Sequence, residues 1–227
     1  MQENGVLALY QGEQADGYWR KCRSLPSRVF WKIARLRAKK FQPYVGRDAW
    51  VLEYGVGPGY NLAALDCKVK YGYDIHETFK EILQAENIRF CQTTEGLAEG
   101  AFDLIICHHT LEHVADPWAA LHEMKRLLWS GSTLLLSVPY ERERKYRYYV
   151  PSEKNHHLFS WNPQTLGALV SSVGFRIVSI KVRRFAYDRF AAVVADNLGL
   201  GDWFYRFLRR TLLLLRPAYE IQMVLKK

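Results

Sequence analysis

A short apolar run that ends in alternating glycines constrains this chain more than any other feature. Residues 50–54 form that run, and Gly55, Gly57 and Gly59 follow it, a pattern typical of a buried strand that leads into a tight turn. A helical stretch is expected after this turn. Glycines at such a turn let backbone N–H groups come close to a ligand. Position 60 is Tyr60, where the pyrophosphate-binding loop of NAD proteins has its third glycine. The sequence therefore predicts a ligand-binding loop and disfavours an NAD site.

The alternation of further apolar runs with helical segments predicts the fold class. Strands are predicted over 69–73, 88–91, 103–107 and 133–138, and helices over 26–41, 79–86, 117–128 and 163–173. A turn at residues 130–131 is expected to end the helix over 117–128. Strands that alternate with helices of this length form βαβ units and a parallel sheet. The last two predicted strands, 175–182 and 220–225, enclose a helical stretch over 188–217. We therefore expect an α/β, doubly wound, Rossmann-like sheet of seven strands, mostly parallel, with a terminal antiparallel hairpin.

Charge is distributed unevenly over the chain. Residues 48–140 carry a net charge of −7, whereas residues 1–47 carry +7 and residues 141–227 carry +9. Basic segments of this kind suit nucleic acid, phosphorylated substrates or an anionic membrane, but they also simply solvate helix faces. We divide the chain into a helical N-terminal cap (1–47), a ligand-binding core (48–187), a helical insertion that forms a second cap (188–217), and the last core strand (218–227).

A carboxylate stands where a nucleoside ligand needs one. Asp74 ends the second predicted strand, 19 residues after Gly55. In doubly wound sheets an acidic residue at this place accepts hydrogen bonds from ribose hydroxyls. The glycine turn and Asp74 together therefore predict a ribose-containing cofactor.

Four separated pieces of the chain resemble class I S-adenosylmethionine-dependent methyltransferases, of the type 11/23-like group that includes small-molecule and glycan methyltransferases. These pieces are VLEYGVGPG (51–59), YGYD (71–74), FDLIICHHTLEHVADP (102–117) and LLWSGSTLLLSVP (127–139). The resemblance covers roughly residues 48–182 and implies that the cofactor is S-adenosyl-L-methionine. It also makes 48–187 the core that binds this cofactor.

The resemblance also implies roles for individual residues. The glycine loop is expected to hold the methionine end of the cofactor, Glu53 to support that loop, and Asp74 to bind the ribose. Residues after the third strand are expected near the adenine, and His108 lies at the end of the fourth strand that faces the cofactor. The residues assigned to the cofactor in this way are Glu53, Gly55, Gly57, Gly59, Asp74, Gln92, Thr94 and His108.

A zinc-protease pattern within the third piece is interpreted as a coincidence. His109 to His113 reads HxxEH, which binds zinc when both histidines share one helical face. This segment begins at the end of an apolar strand, and Pro117 follows only four residues after His113. A long metal-binding helix does not fit there, so we expect no metal.

Histidines are the candidates for catalysis. Methyl transfer needs the acceptor held in line behind the methyl group, and a base can remove the acceptor's proton. His113 is the first candidate for this base, with His156 and His157 as alternatives. Residues 155–161 resemble the family's H-x-x-F-S loop, which borders the acceptor pocket. The competing interpretation is that His113 only hydrogen-bonds a loop.

We expect methyl transfer to a small molecule, sugar or glycan, by O-methylation, with an anionic or lipid-linked acceptor as one option. The alternatives are a nucleic-acid methyltransferase and a non-catalytic scaffold or regulator that binds the cofactor. The absence of an NPPY or DPPY tetrapeptide after the fourth strand disfavours the first alternative. The oligomeric state stays open. The start of the chain lacks the basic and apolar segments of a signal peptide, which predicts a cytoplasmic protein.

Two basic helices have two possible uses, as caps over the ends of the strands or as a peripheral contact with a membrane. We favour the caps. The helix over 26–41 has an apolar stripe with Val29 and Ile33. In the helix over 203–216, the sequence predicts one side with Phe204, Phe207, Leu208 and Thr211, and another with Arg206, Arg209 and Arg210.

Overall fold

A computed structural model describes residues 25–141, 148–149, 155 and 157–227. The helices in these ranges are α1 (Ser27–Phe41), α2 (Lys80–Ala85), α3 (Pro117–Leu127), α4 (Pro163–Ser172), α5 (Asp188–Asn197) and α6 (Asp202–Leu215). The strands are β1 (Trp50–Tyr54), β2 (Val69–Tyr73), β3 (Ile88–Cys91), β4 (Phe102–His108), β5 (Leu128–Pro139), β6 (Arg176–Phe185) and β7 (Ala218–Lys226). No helix within these ranges is long and apolar enough to cross a bilayer.

The seven strands form one sheet in the order β3-β2-β1-β4-β5-β7-β6. β1 pairs with β2, β2 with β3, and β4 with β5, all in parallel. β7 lies between β5 and β6 and is antiparallel to both. This arrangement confirms the predicted Rossmann-like sheet with its terminal antiparallel hairpin.

The chain divides into two compact units, which are described separately. The first contains the described residues up to Leu97 together with Tyr187–Arg210, and the second contains Ala98–Ala186 with Thr211–Lys227. The first unit therefore holds the glycine loop and β1 to β3, whereas the second holds the histidine-rich segment after β4.

Helix α1 belongs to the core of the first unit, as its predicted apolar stripe requires. Val29 and Ile33 are buried in one cluster with Tyr60, with three alanines of α5 and with Tyr205 of α6. Arg28 pairs with Asp196 of α5 at 2.6 Å, on the edge of this contact. The helical stretch predicted over 188–217 is two helices and not one, because residues 198–201 interrupt it and Gly199 has a φ of +64°.

In the second unit, β5 differs from its prediction. The sequence predicts a turn at residues 130–131 and a strand that begins at Thr133. Strand β5 begins already at Leu128, which pairs with Phe102, but the next pair joins Leu104 to Thr133. Residues 129–132 therefore form a bulge inside a longer strand, with Gly131 at a φ of +87°. The predicted turn is therefore wrong, and this bulge within a continuous strand stands in its place.

Candidate active site

The glycine loop after β1 adopts a backbone that favours glycine at all three predicted positions. Gly55, Gly57 and Gly59 have φ values of +80°, +49° and +82°. A Cβ at Gly59 would lie 2.7 Å from Cδ2 of Leu83, so this glycine also permits close packing. A Cβ at Gly57 would meet no atom of the residues that the structure describes within 4 Å. Gly57 therefore borders open space, as a position that contacts a ligand should.

The segment after the loop is not the helical stretch that the sequence predicts. Residues 60–64 are turns, in which the N–H of Ala63 donates to the carbonyl of Gly59 at 3.0 Å. The loop therefore offers individual backbone and side-chain groups to a ligand, and not the dipole of a long helix.

Asp74 connects the end of β2 to the glycine loop. One oxygen of its carboxylate accepts a hydrogen bond from the backbone N–H of Gly57 at 2.9 Å, and the other accepts from the N–H of His76 at 3.1 Å. Burial raises the pKa of Asp74, and these two backbone hydrogen bonds oppose the rise. A carboxylate has about four acceptor sites, so each oxygen keeps capacity for one further donor.

Glu53 is a buried carboxylate directly before the loop. Its side chain is 1% exposed, and its Oε1 accepts a hydrogen bond from Nδ2 of Asn61. Within the described part of the chain, its Oε2 is buried and has no hydrogen-bond partner. Burial raises the pKa of Glu53 to about 8, while Asn61 and the nearby charge of Arg37 act in the opposite direction. A buried oxygen without a donor is costly, which points to a ligand that supplies one.

Arg37 is a candidate site residue that the sequence analysis missed. Its Nη1 donates to Oδ1 of Asn61 at 3.3 Å, and its guanidinium lies over the ring of Tyr60, 5.5 Å from the centroid. Its Nε is buried without a hydrogen-bond partner among the described residues. The sequence could have indicated Arg37, because it follows Ile33 by four residues and so continues the buried stripe of α1. A charge on a buried stripe needs a partner.

The residues predicted near the adenine follow β3. Nε2 of Gln92 donates to the carbonyl of Ile75 at 3.3 Å, and the N–H of Asp74 donates to the carbonyl of Cys91 at 3.2 Å. The structure thus brings Gln92 beside Asp74. Thr94 lies in the following turn, where its carbonyl accepts from the N–H of Leu97 at 3.0 Å.

In the second unit, both histidines of the HxxEH pattern lie within 4 Å of Oε1 of Glu112, at 3.7 Å for His109 and 3.9 Å for His113, but their further partners differ. His109 has a φ of +54°, and only residues 111–113 form a short 3-10 turn. Nε2 of His109 lies 2.9 Å from Oε2 of Glu220, whereas the ring of His113 lies 4.9 Å from the ring of His157. His109 and His113 therefore do not share a helical face, which was the reason for doubting the zinc-protease interpretation.

Two groups among the described residues have the geometry to hold a metal ion. One consists of His108, His109 and Glu220, and the other of Glu112, His113 and His157. In each group the possible ligand atoms lie within 4.8 Å of one another. His108 is buried, with its Nε2 3.5 Å from Oε2 of Glu220. Because of these groups, the absence of a metal stays a prediction that needs a direct test.

Glu112 lies beside the first candidate base. It is buried, and its Oε1 is 3.9 Å from Nε2 of His113. Neither carboxylate oxygen has a hydrogen-bond partner among the described residues. Burial raises the pKa of Glu112 to about 8. Its backbone carbonyl accepts hydrogen bonds from the N–H groups of Leu158 and Phe159, at 2.8 and 3.2 Å. These two bonds hold the loop before α4 against the segment after β4.

That loop brings a second candidate base to His113. Nδ1 of His157 lies 2.5 Å from Oε1 of Glu141, and both side chains are largely buried. His156, the third candidate, lies outside the described residues. The structure therefore brings His113 and His157 together and gives His157 a carboxylate partner.

Comparisons with known proteins identify the family and the fold of this chain. Residues 20–180 match a family model described as a methyltransferase domain. The chain is similar in structure to an S-adenosylmethionine-dependent methyltransferase of Archaeoglobus fulgidus, with 17% identity, a TM-score of 0.58, and 86% of this chain and 94% of that one covered. It is also similar in structure to the cyclase SpnF, with 17% identity and a TM-score of 0.58, and this similarity covers 86% of this chain and 80% of SpnF.

A third similar structure is phosphoethanolamine N-methyltransferase 2 of Haemonchus contortus, in complex with phosphomonomethylethanolamine and S-adenosylhomocysteine. The two sequences are 14% identical, the TM-score is 0.57, and the similarity covers 87% of this chain and 52% of that one. No protein of curated function matches the sequence at a significant level. Identities this low show the fold alone, but the family model spans most of the chain. The protein therefore belongs to the methyltransferase-domain family and is a class I S-adenosylmethionine-dependent methyltransferase.

Proposed function

We propose that this enzyme binds S-adenosyl-L-methionine at the glycine loop of the first unit and methylates a small-molecule, sugar or glycan acceptor by O-methylation. The cofactor would supply an electrophilic methyl group on a sulfonium. We include an anionic or lipid-linked acceptor and a cytoplasmic location in the proposal, on the basis of the sequence. The main support for the proposal is the carboxylate of Asp74, which accepts a hydrogen bond from Gly57 and keeps one acceptor site on each oxygen for a ligand.

The polar atoms around the loop fit the groups of this cofactor. The remaining acceptor sites of Asp74 suit two ribose hydroxyls. The buried Oε2 of Glu53 suits an ammonium group, and the buried Nε of Arg37 suits a carboxylate, since both atoms lack partners among the described residues. Gln92, Thr94 and His108 stay in the proposal as further contacts of the cofactor, with Gln92 supported by its position beside Asp74.

The acceptor side of the proposal depends on a histidine. With the cofactor bound, residues of the chain would hold the acceptor oxygen in line behind the methyl group that the sulfonium supplies, and the sulfur would keep the electron pair of the carbon–sulfur bond. The oxygen's proton passes to the base, for which His113, His156 and His157 remain candidates. If Nδ1 of His157 donates to Glu141, its Nε2 is the nitrogen that can accept this proton. Glu141 then acts as a positioning residue that fixes the tautomer.

Calorimetry with S-adenosylhomocysteine tests the cofactor site. A hydrogen bond to a charged group contributes roughly 1.5–3 kcal/mol, so Asp74→Ala should weaken binding roughly 10- to 100-fold. Asp66→Ala is the matched control, because the side chain of Asp66 is 73% exposed in the same unit. Equal affinities of the two variants, or tighter binding of NAD than of S-adenosylhomocysteine, would contradict the proposal. A panel of sugars, sugar nucleotides and phenols, assayed for cofactor consumption, then identifies the acceptor.

A further inference from the structure

Helix α6 carries apolar side chains on two different faces. On its inner face, Phe204, Tyr205 and Leu208 join the core cluster of the first unit. This packing accounts for the inner face of the helix, and the predicted cap over the ends of the strands stays a prediction. The aromatic side chains on the opposite side of the helix are more than half exposed.

An outer stripe runs along that opposite side, formed by Trp203, Phe207, Arg210 and Leu214. These residues are spaced four, three and four apart, so they share one face of the helix. Trp203, Phe207 and Leu214 are 63%, 61% and 68% exposed. The sequence prediction had placed Phe207 on the packed side with Phe204 and Leu208. The structure corrects this, because Tyr205 takes the core position and turns Phe207 outward with the arginines.

A helix that is apolar on both sides is normally buried on both sides. Scattered exposed apolar residues need no explanation, but three large ones in a row on a single helix face do. The face is also positive. Arg206 is exposed next to Arg210, and the chain has no acidic residue between Asp202 and Glu220. Its partner should therefore be apolar and negatively charged.

These properties fit the surface of an anionic bilayer. Tryptophan and phenylalanine partition into the interface between headgroups and acyl chains, while arginines beside them reach lipid phosphates. A second copy of the chain fits poorly, because Arg206 and Arg210 would meet their own counterparts. Nucleic acid would use the aromatic rings and the arginines, but it gives Leu214 no role.

We propose that the outer stripe of α6, with Arg206, rests in the interface of an anionic lipid membrane and attaches the enzyme peripherally. The inner face keeps its place in the core, so α6 serves both as a cap and as a membrane contact. The inference stands apart from methyl transfer. It adds a surface that would present the enzyme to acceptors at a membrane.

Vesicle sedimentation of the full chain tests this proposal. We expect binding to phosphatidylglycerol/phosphatidylcholine vesicles that is at least tenfold stronger than binding to phosphatidylcholine alone. Trp203→Ser with Phe207→Ser should weaken it at least tenfold. Arg206→Gln with Arg210→Gln should weaken it similarly at low salt and should remove most of its salt dependence.

Matched controls separate this surface from general charge and hydrophobicity. Trp118→Ser removes a tryptophan that is 50% exposed elsewhere, and Arg176→Gln with Arg183→Gln removes two exposed charges from β6. Both controls should bind vesicles within twofold of wild type. No binding by wild type, or equal losses in the controls, would overturn the proposal. So would a dimer or a nucleic-acid complex that is lost only in the α6 variants while vesicle binding persists. Unchanged thermal unfolding of the variants shows that they are folded. Unchanged affinity for S-adenosylhomocysteine shows that the substitutions do not affect the cofactor site.

Discussion

The carboxylate of Asp74 accepts a hydrogen bond from the backbone N–H of Gly57, with 2.9 Å between oxygen and nitrogen. This bond joins the end of β2 to the loop after β1. The residue expected to bind the ribose therefore also sets the shape of the loop expected to hold the methionine end. Substitution of Asp74 should disturb both parts of the cofactor site together.

A pair of alanine substitutions separates packing from ligand contact in the glycine loop. Gly59→Ala should lower the free energy of unfolding by more than about 1 kcal/mol, because its Cβ would clash with Leu83 at a φ of +82°. Gly57→Ala carries the strain of a positive φ but no clash. We expect it to be the milder change in urea unfolding and yet to weaken binding of S-adenosylhomocysteine. Wild-type affinity in Gly57→Ala would argue that this side of the loop does not face the cofactor.

Glu53 should make stability depend on pH in the ligand-free protein. Its pKa is raised from 4.5 to about 8, so between these values the folded chain holds a proton that the unfolded chain has lost. The free energy of unfolding therefore falls as the pH rises from 4.5 to 8 and levels off above 8, by about 1.4 kcal/mol for each unit of pKa shift at most.

Glu53→Gln removes this titration and can still accept from Asn61. The stability difference, variant minus wild type, should consequently increase from pH 5 to pH 8 in urea unfolding. Titration of other groups, Glu112 included, cancels in that difference. Parallel curves for the two proteins would show that Glu53 is not the group responsible.

The histidines after β4 and before α4 should affect turnover and not cofactor affinity. His113→Ala or His157→Ala should lower kcat by roughly 10²–10⁴-fold if the residue is the base. Glu141→Gln should produce a smaller loss and shift the pH profile of kcat, if it fixes the tautomer of His157. A loss of less than about threefold in His113→Ala would assign His113 to the structural role and leave His156 and His157 as candidates.

Removal of metal ions tests the prediction of metal independence. Dialysis against a chelator should leave both kcat and the affinity for S-adenosylhomocysteine unchanged. Metal analysis before and after dialysis is the necessary control, because two groups of side chains could hold an ion. A stoichiometric metal that is lost together with activity, and whose loss is reproduced by Glu112→Gln, would show that the prediction is wrong.

Local sequence determined the first three strands and the glycine loop. β1, β2 and β3 have the predicted bounds, because short apolar runs that end at glycines or polar residues leave one consistent assignment. The loop glycines and Asp74 could be predicted in the same way, because a positive φ and a carboxylate at the end of a strand depend on single positions in the sequence. The order of these pieces was enough to indicate the family.

Only the tertiary structure decided the contacts between segments that are distant in sequence. Arg37 reaches Asn61, His157 reaches Glu141, and Glu220 of the last strand reaches His109. Helical periodicity offered two faces for Phe207, and packing of Tyr205 into the core selected the exposed one. Periodicity specifies which residues share a face, but the free energy gained by burying one face against its neighbours decides which face points inward.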